Sequence, residues 1–131
     1  MKNKSNESTA LRPDGDRLLN ARLVEIDLNK FIVQLKQEPT WADSDRNSIT
    51  VFKSDTTTIV LIGMHKNAEL KEHTAIENIT VQVLDGEINF FAEQQIFLLE
   101  KGKLITLEAN IPHSVTAMKE SFFLLTLVIN K

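Results

Sequence analysis

Three histidines carry most of the chemical potential of this chain, and two of them, His73 and His113, stand beside segments rich in β-branched residues. Imidazole is a general ligand for divalent transition metals, and non-haem iron sites commonly combine two histidines with one carboxylate. If His73 and His113 face each other across a folded sheet, they supply two nitrogens. Glu77 lies four residues after His73 and could fold back from a loop as the third ligand. The metal set read from the sequence is therefore His73, His113 and Glu77, with a divalent transition metal as its cofactor. Gln82 is a rival third ligand, but strand alternation turns it away from the face of Ile79, Val81 and Val83. The plainer alternative is a pair of neutral imidazoles, hydrogen-bonded near the mouth of a pocket. His65, in GMHKN beside a turn, reads as an exposed loop residue.

Other chemistries find no residues here. The chain has no cysteine, which removes thiolate nucleophiles, disulfides and Cys-based zinc or iron–sulfur sites. It has only four glycines and no phosphate-cradling loop. No Gly-x-Ser-x-Gly elbow is present. Ser114 follows His113 directly, and neighbours on a strand point to opposite faces, so the two make a poor nucleophile–base pair. The net charge of −3 and the absence of any long basic run argue against nucleic acid and against anionic membranes. No apolar run approaches the length of a bilayer span. The polar start, MKNKSNESTALRPDGD, lacks the apolar core of a secretory signal, so a cytoplasmic location is expected.

The elements that must position the histidines follow from spacing. At 131 residues and 42% hydrophobic, the chain suits one core. Residues 1–16 read as a flexible lead-in with a turn at Pro13-Asp14-Gly15. Residues 17–47 read as an N-terminal cover: a strand from Arg22 to Asp27, then a helix capped by Asp27. Leu28, Phe31, Ile32 and Leu35 recur at helical spacing, and Pro39 stops it. Thr40–Asn47, with the sole Trp41 and a charged cluster of Asp43, Asp45 and Arg46, reads as a loop. Trp41 itself reads as a cover for the fold or a dimer contact, or as a stacking platform for a ligand. Residues 48–131 switch to short β-branched segments such as ITVFKS, TTTIVLIGMHK, ITVQVLDGEINFF and FFLLTLVI. Asp85-Gly86 reads as a hairpin turn, and Lys101-Gly102 as a second turn. IVLI and FFLLTLVI are apolar on both faces, so the face turned from the core needs a cover: the N-terminal segment, the helix or a second subunit. A homodimer is expected on that ground.

LKEHTAIENITVQVLDGEINF followed by LLEKGKLITLEANIPHSV resembles the two signature motifs of the cupin superfamily, most closely the small single-domain conserved-barrel cupins of RmlC-like fold. The likeness spans roughly residues 60–128. Gly86 and Gly102 stand at the motif glycines. Of four usual metal-ligand positions, His73 and His113 keep histidine, while Ala75 and Ile79 stand in the other two. Ala117 replaces a usual asparagine, and Glu108 and Asn110 stand at a usual proline and glycine. The resemblance implies an all-β, double-stranded β-helix (jelly-roll) barrel with one short N-terminal helix added. It also implies a ligand pocket inside the barrel. By alternation from Ile79 that pocket takes Val81, Val83, Val115 and Ala117, with His73 and His113 near one end. The absence of tyrosine removes the phenolic acid used by sugar-nucleotide epimerases of related fold. Three functions stay open: a small-molecule binding cupin, a metal-dependent dioxygenase or isomerase, and a structural module with a filled barrel.

Overall fold

The computed structural model describes residues 21–129; the lead-in of residues 1–16 and its Pro13-Asp14-Gly15 turn lie outside them. In chain order the elements are α1 (Leu28–Gln37), α2 (Pro39–Asp43), β1 (Arg46–Lys53), β2 (Thr57–Met64), β3 (Glu69–His73), β4 (Asn78–Asp85), β5 (Glu87–Ala92), β6 (Gln95–Glu100), β7 (Leu104–Leu107), β8 (His113–Ala117) and β9 (Ser121–Val128). The strands form two antiparallel sheets, ordered β1-β2-β9-β4-β7 and β3-β8-β5-β6. This is a jelly-roll sandwich, and among the described residues no ladder closes it into a complete barrel.

The expected helix forms as read. Asp27 caps it, its Oδ1 accepting from the Lys30 amide at 3.2 Å. Arg22–Asp27, expected as a strand, takes no regular structure. Its apolar residues join no ladder: Leu23 is 93% exposed, and Ile26 packs against the helix layer. The expected loop over Thr40–Asn47 also differs. Pro39 opens a second short helix, which suits the fixed φ of proline at a first helical position. Arg46 and Asn47 already belong to β1.

Two apolar layers result. Ile62, Met64, Val81, Val83, Ile88, Phe90, Val115 and Phe123 fill the space between the sheets. Leu35, Trp41, Ile49, Val51, Leu61 and Phe122 fill a second layer between α1, α2 and the outer face of β1, β2 and β9. The doubly apolar strands β2 and β9 are thus covered by the helices. Gly63 permits this approach, since a Cβ there would meet Leu35 Cδ2 and the Phe122 ring at 2.8 Å. A polar latch fixes the helix end. Asn47 is buried and donates through Nδ2 to Leu35 O at 3.1 Å and to Glu38 Oε1 at 2.9 Å, while Gln34 donates to Glu38 Oε2.

Turn chemistry differs from expectation at Asp85-Gly86. β4 and β5 lie in different sheets, so this dipeptide turns a corner between sheets and closes no hairpin. Gly86 has φ +91°, and a Cβ there would meet Glu120 O at 2.4 Å. The tight hairpin is instead Glu93-Gln94, both with positive φ, joining β5 to β6. Lys101-Gly102 is a turn, and it too crosses between sheets, with the Gly102 amide donating to Val83 O at 2.9 Å.

Candidate functional site

β3 and β8 bring His73 and His113 together. The two residues are direct cross-strand partners, and their ring centroids lie 4.4 Å apart at an interplanar angle of 60°. They differ in environment. His113 is 5% exposed, on a strand flanked on both sides, and it stacks on Phe90 of β5 at 5.5 Å and 10°. His73 ends an edge strand and is exposed.

Each ring is oriented by the backbone two residues before it. Nδ1 of His73 lies 2.8 Å from Lys71 O, and Nδ1 of His113 lies 3.0 Å from Ile111 O. A carbonyl oxygen only accepts, so each Nδ1 carries the proton and donates. Each Nε2 is then left with its lone pair whenever the ring is neutral. Burial lowers the pKa of His113 below its ordinary value, and the neighbouring His73 charge acts in the same direction, while the bond to Ile111 opposes them. His113 is therefore held neutral at pH 7.

The five other expected pocket residues are packed core. Ile79, Val81, Val83, Val115 and Ala117 all belong to the cluster between the sheets and are 0–3% exposed. Solvent reaches almost none of their surface. Ala75, Phe97, Leu107 and Ile111 are half-buried against that core.

The expected metal set is not assembled. Glu77 lines a separate cleft of about 320 Å³ with Lys53, Ser54, Asp55, Thr58, Leu127 and Ile129. Among the described residues no group of three His, Cys, Asp or Glu is placed to hold a metal ion. Gln82 is exposed, and Ile79 is buried where the fold would offer a carboxylate. Two nitrogens without a third protein ligand do not fit a tight transition-metal site.

His65 lies in a loop as expected but is half-buried, and Trp41 takes the expected place of a cover. Trp41 is buried, stacks on the His65 ring at 3.7 Å and packs against Phe122. The His65 Nε2 lies 2.7 Å from Trp41 O. Trp41 is thus a cover over the outer apolar layer. Sequence reasoning missed Phe90 as the platform under His113. The signal was available, since Phe90 alternates with Ile88 and Ala92 along INFFA.

No family model matches the sequence, and no curated protein matches it. Solved structures do. An RmlC-like cupin from Shewanella frigidimarina superposes with a TM-score of 0.63 at 16% identity, covering 66% of this chain and 78% of that one. A Cupin 2 conserved barrel domain protein from Leptotrichia buccalis gives a TM-score of 0.60 at 28% identity, covering 67% of this chain and 42% of that one. A point mutant of salicylate 1,2-dioxygenase from Pseudoaminobacter salicylatoxidans, in complex with gentisate, gives 0.68 at 14% identity, covering 76% and 32%. The strand order, the two glycine corners and these superpositions agree: this chain has the RmlC-like fold of the conserved-barrel cupins.

Proposed function

We propose that this cupin binds a small molecule at the rim of its sandwich, over His73 and His113. The observation that carries the reading is the shared tautomer: both Nδ1 atoms are spent on backbone carbonyls, so two neighbouring rings, 4.4 Å apart, each keep Nε2 as the acceptor when neutral. A matching ligand brings hydrogen-bond donors, such as hydroxyl or amine groups, on an apolar body that rests against half-buried residues near the two histidines in the chain, such as Ala75 and Ile111. The packed interior argues that the ligand sits on the core and not within it. Since the salicylate dioxygenase neighbour was solved with gentisate, a hydroxylated aromatic acid, phenols are sensible first probes.

The filled interior also favours a second reading, a structural module with no ligand. Imidazole-resolved NMR separates the two. Phenol and catechol are titrated into the full chain at a pH where His113 is neutral, with benzene as the donor-free control. Binding at the rim moves the His73 and His113 ring signals with the phenols and not with benzene, and His113→Ala removes the response. Ring signals that stay fixed with every donor would leave only the structural module.

A further inference from the structure

The helices remove the reason for a partner over β2 and β9, and the surface left open lies elsewhere. β6 is the outer strand of its sheet, paired to β5 on one side only. Its ladder to β5 runs from Glu87↔Glu100 to Ala92↔Gln95 without a bulge. The two-residue turn Glu93-Gln94, with φ of 51° and 65°, is of the primed type. Such a turn is flanked by a hydrogen-bonded pair, here Ala92 and Gln95. Backbone groups of Gln95, Phe97 and Leu99 therefore face β5, and those of Ile96, Leu98 and Glu100 face outward. The Lys103 ammonium, 3.5 Å from Leu98 O, marks that carbonyl as pointing out.

The same strand is apolar on its solvent face. Ile96 is 66% exposed, Leu98 45% and the cross-strand neighbour Phe91 41%. Between residues 95 and 99 there is no charge, proline or bulge, the usual guards of a free edge. Lys103 is a guard of one long, exposed bond, which a partner amide can replace.

We propose that β6 pairs antiparallel with β6 of a second copy, about a two-fold axis through Phe97, so that two four-stranded sheets become one continuous sheet. The occupant is a second copy because the strand complements its own inverse. In this register Ile96 stands opposite the partner's Leu98, both with outward-facing amides and carbonyls, as a hydrogen-bonded pair requires. Phe97 stands opposite itself. Glu93 and the partner's Lys101, of opposite charge, fall at matching positions in the turns just beyond each end of the paired strands. A one-residue slip would set outward-facing groups against inward-facing ones and lose the ladder.

Sedimentation of the full chain across a dilution series tests this. The expected result is a species of twice the chain mass, converted to one chain mass by the surface double variant I96K/L98K, with the circular dichroism spectrum kept. A single-chain mass for the unaltered protein at all concentrations overturns the proposal, and so does a dimer that survives I96K/L98K. Should that variant not fold, I96C/L98C decides in a chain otherwise free of cysteine. Mild oxidation links two copies through 96 and 98 if the register is right, and leaves single chains if it is wrong.

Discussion

His73 and His113 face each other at 4.4 Å, yet the buried member alone rests its ring on Phe90. Burial lowers the His113 pKa from its ordinary 6.5. The unfolded chain then binds a proton at this site that the folded chain refuses, so the site costs stability as pH falls. The loss begins as pH drops below about 6.5 and levels off below the folded pKa. Urea midpoints measured against pH should show this slope, and His113→Leu should flatten it. A His113 ring signal titrating above 6.5 would contradict the burial argument.

Chelation should leave the fold untouched. With two imidazole nitrogens and no third protein ligand among the described residues, a metal is expected to add nothing to the folding free energy. Melting curves with and without a strong chelator are expected to coincide. A fall in melting temperature on chelation, reversed by a transition metal, would show a ligand set that the described residues do not contain.

Thr50 is 1% exposed, and its Oγ1 finds no hydrogen-bond partner among the described residues. A hydroxyl buried in this way costs about 1–3 kcal/mol against a partnered or apolar group. Valine has the same shape and keeps the β-branched backbone preference. Thr50→Val is expected to stabilise by about 1 kcal/mol, read from denaturant midpoints. A loss of stability would mean that the hydroxyl has a partner.

The latch at Asn47 should show the opposite sign. Its amide holds the Leu35 carbonyl and the Glu38 carboxylate, both inside the helix–sheet junction. Asn47→Ala leaves these acceptors without that donor and is expected to cost about 1–3 kcal/mol. The variant should also loosen α1, seen as faster amide exchange over residues 28–37 than over β9.

Gly86→Ala tests the corner between the sheets. The left-handed backbone costs alanine about 1–2 kcal/mol, and the added Cβ collides with the Glu120 carbonyl. Gly102 has the same sign of φ but open space around its Cβ position. Gly102→Ala should therefore cost the backbone strain alone and be the milder variant in the same unfolding assay.

Local pattern determined much of this protein from its sequence. β-branched runs broken by glycine corners specify antiparallel strands, because alternation needs only neighbouring residues to be read. Asp27 and the spacing of Leu28, Phe31, Ile32 and Leu35 specify α1 for the same reason. The residues 79, 81, 83, 115 and 117 share one face for that reason too, and all are buried. Partnership between distant segments was decided by tertiary structure alone. Asp85-Gly86 has hairpin chemistry, yet the chain there changes sheets, with both edges of β4 taken by β7 and β9. Arg22–Asp27 is apolar enough for a strand and yet pairs with none of the outer strands. Glu77 is near His73 along the chain and belongs to another cleft. The 4.4 Å between two imidazoles forty residues apart is a matter of register between β3 and β8, which no local spacing encodes.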